Sequence, residues 1–563
     1  MPATPTASPA KRPELWIYVL LLVVIFEEAI RARLLLPPLP FSDPDTWGYL
    51  FPGLSSLAGH DFVHTNGRSF PYPLFVYTLL ANFGHFAAIT VAQHTLGILS
   101  GAVLLWTWHR MRRFFPSTPA IRWAHGALGL AITTSFLLSQ GTLLMEHSIR
   151  PEAIFPFFTI LAPCFAVEYL IALPRHRNRA FFFGVALIFD SLLVYFLKPA
   201  WGLAAGFAIL PVFVSFFRIR GAWAWKAAMV ILPVALVGAT LWYPEKRLAQ
   251  EHDPKSARFL PQLLFCFNAH TIRAELVRDL EDDAKPRYDK ELLARVLSIV
   301  DRELNANSRA YTSLGYDADN LMYRRKTPDG GRTDSVVSVL KETFDDDTDA
   351  FKAFCYHYYL RAWLRHPGAM AYKIANQFSL FYRLKDDPFD RKRATIETGF
   401  RAQRSLKALK PLEWEVPLYE HYLSETAKLT GSTEEWHQAS KVTRINRILR
   451  PTLPISFGVA LLIGAAFAVK AGRAGWRLPA GWQPLLAPLM LTLYAMSLNV
   501  GNCMTVAIVH TMEVSRYTKN QLIFVLLAEA CAVLLTVAVV EALIRRGRSS
   551  GVPARPCEPV AGA

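Results

Sequence analysis

Apolar residues in this chain gather into blocks of about 20, the length that crosses a hydrocarbon core roughly 30 Å thick. Backbone in lipid must satisfy its own hydrogen bonds, so such blocks read as spanning helices. The first block runs from Leu15 to about Ile30. A juxtamembrane stretch and the second span together cover Pro71–Trp108. Five more cover Trp123–Leu138, Glu152–Leu173, Ala180–Phe196, Trp201–Phe217 and Ala222–Trp242. After a long polar interval come Pro454–Val469, Trp482–Val506 and Gln521–Leu543. The expected fold class is therefore all-α: a polytopic helical membrane bundle of about ten transmembrane helices, with a large, mainly helical extracytoplasmic insertion. Composition agrees, at 52% hydrophobic residues and 13% aromatic over 563 positions. A soluble chain of this length would divide into several domains of ordinary polarity.

The first block has a basic Lys11-Arg12 flank, but Glu27, Glu28 and Arg31 follow and no Ala-x-Ala site does. It reads as a retained signal anchor. Lys and Arg in the short loops set the orientation. One set of connections holds Arg110, Arg112, Arg113 and Arg122, then Arg175, Arg177 and Arg179, then Arg218, Arg220 and Lys226. The same side takes Lys470, Arg473 and Arg477, and Arg545, Arg546 and Arg548. The alternate connections hold only Arg68, Arg150, Lys198, Arg516 and Lys519. This alternation places both termini in the cytoplasm, as expected of a bacterial inner-membrane protein. It also explains the net charge of +16. Basic residues at helix ends serve topology, so nucleic-acid binding is excluded as a reading.

Composition divides the chain into residues 1–14 (a disordered cytoplasmic tail), 15–243 (about seven spans, with a first outer loop at 37–70), 244–450 (a charged extracytoplasmic helical domain), 451–548 (about three spans) and 549–563 (a second disordered tail). Within 244–450, Leu292, Val296 and Val300 recur at helical spacing as one amphipathic stripe. Phe351–Leu364 reads as an aromatic-rich helix broken at His366-Pro367-Gly368, with Pro367 suited to the first turn of the next. Both helices have the character of membrane-surface elements. The six cysteines form no CxxC and no metal-finger spacing. Cys266 and Cys355 fall on the same side of the membrane, and their pairing is left open. No Gly-rich phosphate loop follows a strand, so a Rossmann-type nucleotide-sugar site has no basis here.

The informative polar residues lie in the outer loops. The first loop reads Phe41-Ser42-Asp43-Pro44-Asp45-Thr46-Trp47-Gly48-Tyr49, with Arg68-Ser69-Phe70-Pro71-Tyr72-Pro73 further on. Ser42 or Asp45 is a candidate helix cap, and Asp-Pro favours a turn. The chemical alternative makes one aspartate a general base, because an acceptor hydroxyl must lose its proton as it attacks. The acidic pair is also a possible oxygen ligand set for a divalent metal. The second outer loop carries Glu146-His147 and Arg150-Pro151-Glu152. It reads either as an interfacial helix start with snorkelling charges or as part of a site. Lys198-Pro199 ends the fifth span, as an interface anchor or a phosphate partner. Glu513 and Arg516-Tyr517 precede the last span, as a surface pair or as an anion site. Asp190 within the fifth span is expected to face the bundle interior. Glu168, Glu529 and Glu541 are expected to be structural.

One span, an acidic first outer loop with a nearby tyrosine, and an Arg…Tyr-Pro segment leading into the second span together resemble the GT-C superfamily of integral-membrane glycosyltransferases. The branch most similar is that of bacterial protein O-mannosyltransferases and aminoarabinose transferases. The residues that carry the resemblance are Asp43, Asp45, Tyr49, Arg68, Tyr72 and Pro73, with Arg150-Pro151-Glu152, Lys198-Pro199 and Glu513…Arg516-Tyr517. It covers roughly residues 1–220 and the last helices. Relatives often have adjacent Asp-Glu where this chain has Asp-Pro-Asp, which leaves the choice between Asp43 and Asp45 open. The resemblance implies a polyprenyl-phosphate-linked sugar as donor and a lipid, glycan or protein acceptor at the outer face. It implies Asp43 or Asp45 as base, and Lys198, Arg516 and Arg150 as donor-phosphate partners. Tyr49, Arg68, Tyr72, Glu146, His147 and Glu513 would contact substrate. Three readings compete: a transporter or flippase, which should show internal repeats, a polysaccharide polymerase or ligase, and a non-catalytic scaffold.

Overall fold

The computed structural model describes residues 13–550, except 44, 66, 283–286, 307–311, 327–329, 385–408, 411, 432–439, 475–477 and 511–515. Helix α1 (Pro13–Leu34) climbs to an upper end, where α2 (Thr46–Leu57) and α3 (Pro71–Phe83) pack on each other. Helix α4 (Ala87–Met111) descends, and α5 (Pro119–Leu137) climbs and bends by 46° into α6 (Gln140–Glu146). Helices α7 (Phe155–Ala172), α8 (Arg177–Leu197), α9 (Gly202–Arg218) and α10 (Trp223–Val237) then alternate down and up. A π turn over Gly238–Trp242 leads from α10 into α11 (Tyr243–His252).

Eight described helices are long and apolar enough to cross a membrane, and the bent α5–α6 pair makes a ninth. Helix α1, which also climbs the bundle, is the remaining helix of the expected ten or so, and it falls outside that measure for one reason. It has 22 residues, but Glu27, Glu28 and Arg31 break its apolar run. Its last turn also carries the buried Arg33, whose guanidinium donates to Glu146 at 2.8 and 2.7 Å and to the Leu137 carbonyl at 3.1 Å. Arg33 thus fastens α1 to α5 and α6.

Above the membrane helices, α12 (Phe259–Cys266), α13 (Ala269–Glu281), α14 (Lys290–Asn305), α15 (Ala318–Met322), α16 (Val336–Thr343), α17 (Thr348–Arg365) and α18 (Pro367–Leu380) share one core. The stripe Leu292, Val296 and Val300 is buried in it, as helical spacing requires. A short antiparallel pair, β1 (Arg325–Lys326) with β2 (Arg332–Thr333), follows α15. Pro367 opens α18 directly after the break at His366. Glu275 is fully buried, and its charge is matched by Arg361 at 2.9 Å, Arg365 at 3.1 Å and His366 at 3.0 Å. Cys266 and Cys355 are both buried there and unbonded, and burial pushes their thiols up. Lys373 of α18 donates to the Ala507 carbonyl at 3.1 Å, a cation on the last turn of a membrane helix.

The chain returns through α19 (Pro417–Gly431), α20 (Ser440–Arg473), α21 (Leu486–Val509), α22 (Arg516–Asn520) and α23 (Leu522–Ser550). Lipid tails are as apolar as leucine, so close approach and polar contacts hold such helices together. At Gly501 of α21 a β-carbon would lie 2.8 Å from Ala204 of α9, so that crossing requires glycine. Glu529 of α23 accepts from Thr452 at 2.8 Å and Ser456 at 2.6 Å on α20. Bonds of this kind contribute about 0.6 kcal/mol each on average. Asp190 is buried in α8, facing the interior.

Candidate active site

Two cations of the upper end sit where a proline forbids helix. The residue before proline avoids the α region. Arg150 precedes Pro151 at φ −155°, ψ 150°, and Lys198 precedes Pro199 at φ −153°, ψ 106°. Each side chain therefore leaves an extended kink at a helix junction instead of a helix face. A parallel bridge between Phe41 and Ser148 aligns the first loop with the second. The Phe41 amide donates to the His147 carbonyl at 2.9 Å. Two residues further along each strand, this register sets Asp43 against Arg150.

The result is one cluster drawn from five connections. Asp43 and the Arg150 guanidinium form an ion pair. The Asp43 carboxylate also accepts the Asp45 amide at 2.8 Å, closing the turn. Asp45 faces three guanidiniums: Arg68 at 2.9 Å, Arg516 at 2.5 Å and Arg150 at 3.5 Å. It precedes α2 but makes no side-chain capping bond, so its carboxylate is committed to the arginines. Beneath lies Glu152, which accepts from Lys198 at 2.9 Å and lies 3.3 Å from Arg516. Exposure orders the layers: the Glu152 side chain is 4% exposed and Lys198 9%, whereas Asp43 is 18% and Asp45 27% exposed. The aspartates form the open face and the Lys198–Glu152 pair the floor.

Aromatic rings frame the cations. Lys198 lies 4.9 Å from the Tyr517 ring centroid, Arg516 lies 5.2 Å from the same ring, and Arg68 sits over Tyr49 at 5.2 Å. The loop carrying Arg68 is pinned from α11. Glu245 accepts the Phe70 amide at 2.9 Å and lies 3.1 Å from His64 Nε2, while Asp253 accepts the Gly67 amide at 2.8 Å.

Of the residues singled out from sequence, Asp43, Asp45, Arg68, Arg150, Lys198 and Arg516 come together, with Tyr49 alongside. Tyr72 packs edge-on against Tyr49 at 5.4 Å, and its hydroxyl donates to Gln93 at 2.8 Å. Glu146 points elsewhere: its buried carboxylate is taken by Arg33 and by His94 at 2.7 Å. His147 is also buried, with Nε2 2.9 Å from the Pro37 carbonyl. Glu513 lies outside the described residues. Sequence reasoning placed Glu152 in a candidate loop without a role of its own, and gave Arg33 none. Glu152 had a signal in the Arg-Pro-Glu run, but its partners Lys198 and Arg516 are distant in sequence.

Burial would raise the pKa of Glu152, but Lys198, Arg516 and Arg150 hold its carboxyl well below the usual carboxylate range. Burial, with Arg516 close by, brings the Lys198 ammonium down to about 8 despite Glu152. Burial pushes the Tyr49 phenol up. Three carboxylates meet four cations, an excess of one positive charge. Such a cluster suits an anion. It does not suit a divalent metal, because both aspartates are already engaged by guanidiniums and the surrounding field is positive. Among the described residues no three His, Cys, Asp or Glu gather as a ligand set.

Fold and site together define a multi-pass helical membrane protein with a net-positive ionic cluster at one end of its bundle. No known protein family and no curated protein matches the chain. Among solved structures it is similar to the crystal structure of ArnT from Cupriavidus metallidurans bound to undecaprenyl phosphate. That similarity covers 98% of this chain and 83% of the other, at 11% identity and a TM-score of 0.29.

Proposed function

We propose that this protein is a membrane glycosyltransferase that moves a sugar from a polyprenyl-phosphate donor to an acceptor at the outer face. The observation that carries the reading is the convergence of Arg68, Arg150, Lys198 and Arg516 around two accessible aspartates. The basic residues at the opposite helix ends support a cytoplasmic location for that end and for both termini. The helical segment over 244–450 then covers the site from outside and selects the acceptor.

On this reading the donor phosphate settles among Lys198, Arg516 and Arg150. Asp43 takes the proton of the acceptor hydroxyl, since it has one guanidinium partner where Asp45 has three. The acceptor oxygen attacks the anomeric carbon as the bond from that carbon to the phosphate oxygen breaks. The prenyl phosphate leaves with its charge matched by the cations, and one displacement inverts the anomeric centre. Preorganised cations aimed at a developing charge are usually the largest catalytic contribution. Asp45 holds the three arginines apart in position.

The test is sugar transfer from polyprenyl phosphate in membranes carrying Asp43→Asn or Asp45→Asn. Removal of a general base is expected to lower turnover by about 10²–10⁴-fold with donor binding retained. Wild-type turnover in Asp43→Asn would rule out Asp43 as the base, and wild-type turnover in both variants would rule out a first-loop aspartate altogether.

A further inference from the structure

We infer a second anion site at the lower end of the bundle, built to hold the phosphate of an anionic phospholipid. It is independent of the proposed transfer activity. Helices α4, α7 and α8 each run from the upper end of the bundle to this end. Where α4 finishes and the α7–α8 turn begins, a cavity of about 220 Å³ is lined by Trp106, Arg110, Arg113, Arg175, His176 and Arg179. Sites for drug-sized ligands occupy about 300–1,000 Å³, so this one has the dimensions of a head group.

Four arginines here face a single buried carboxylate. Glu168 pairs with Arg110, whose Nη2 donates at 2.8 Å, and with Arg179 at 3.3 Å. Those two guanidiniums are thereby held in place. Arg113 and Arg175 are exposed, and their side chains make no hydrogen bond or ion pair with the described residues. The four arginines exceed the one carboxylate by three positive charges, and two of them, Arg113 and Arg175, are left open to an anion. Trp106 is 55% exposed beside them, with Arg110 5.6 Å from its ring centroid. An exposed indole at a helix end marks the level of lipid head groups. Basic pockets between spanning helices recognise lipid phosphate in this position. The chemistry recognised is a phosphate monoanion, and its placement at the membrane edge assigns it to a lipid rather than to a soluble phosphate.

The experiment uses the purified full chain in nanodiscs and counts lipids retained after delipidation by native mass spectrometry. Phosphatidylglycerol, phosphatidylcholine and free inorganic phosphate are the probes. Wild type is expected to retain phosphatidylglycerol over phosphatidylcholine. The double variant Arg113→Gln/Arg175→Gln is expected to lose roughly 30-fold of that retention, about five-fold for each cation removed. Arg113→Lys/Arg175→Lys keeps the charge and should keep most of the retention, which separates charge from misfolding. Saturable inorganic phosphate binding that the Gln pair abolishes, with no preference among lipids, would keep the phosphate chemistry and move its source to solution. Equal retention of both lipids by wild type without phosphate binding, or retention untouched in the Gln pair, would overturn the site.

Discussion

Glu152→Gln removes the one buried anion beneath the site while keeping its shape. Glu152 lies 2.9 Å from Lys198 and 3.3 Å from Arg516, and its side chain is 4% exposed. At an effective dielectric near 20, each such contact has a gross energy of about 5 kcal/mol. The desolvation of Glu152 offsets part of that. Arg516 keeps Asp45, but leaving the buried Lys198 without its carboxylate typically costs about 3–5 kcal/mol. The charge on Lys198 should respond as well. Its pKa of about 8 already reflects burial working against Glu152. Loss of the carboxylate lowers it further, and a shift of about one unit corresponds to only about 1.4 kcal/mol. Lys198 must be protonated to hold a phosphate, so binding falls as pH rises through its pKa. The assay is equilibrium binding of polyprenyl phosphate from pH 6 to 9, with thermal unfolding in parallel. The variant should melt lower, and its alkaline loss of binding should begin at least about one pH unit earlier. An unchanged melting temperature and an unchanged alkaline limb would refute the reasoning.

Other expectations follow from the supports of the site. Gly97→Ala should destabilise by about 1–3 kcal/mol, because a β-carbon there collides with the Glu146 carboxylate held by Arg33. Arg33→Ala should cost about 3–5 kcal/mol by leaving the buried Glu146 carboxylate with His94 as its remaining side-chain partner, and thermal unfolding measures both variants. Burial alone would lower the pKa of His64, yet Glu245 and Asp253 raise it above 6.5. Its contribution is therefore present in full below pH 6.5 and fades as pH rises through the raised value. The stability difference between wild type and His64→Gln should be largest near pH 6 and shrink in alkali; a difference constant with pH would count against the ion pair.

The spans were legible because lipid imposes a length and an apolar composition that a sequence displays directly. Lys198 and Arg150 were legible as loop cations because each stands before a proline. What holds them was not. Glu152 reads locally as the end of Arg-Pro-Glu, and only the fold reveals that Lys198 and Arg516 reach it. Arg33 drew no reading from the sequence at all. Its burial against Glu146 depends on the bend between α5 and α6, which no periodicity marks. Glu146 and His147 misled for the same reason, since their neighbours in sequence are not their neighbours in space. Asp45 shows the converse case. Its position before a helix suggested a cap, but three arginines from elsewhere outcompete the local amides.

A cryo-EM structure of the protein with polyprenyl phosphate in lipid would locate the bound head group directly. The phosphate should lie within about 2.7–2.9 Å of Lys198 and Arg516, beside the first-loop aspartates and at the end of the bundle away from the chain termini. A phosphate seated against any other residues, with that cluster closed upon itself, would contradict the account.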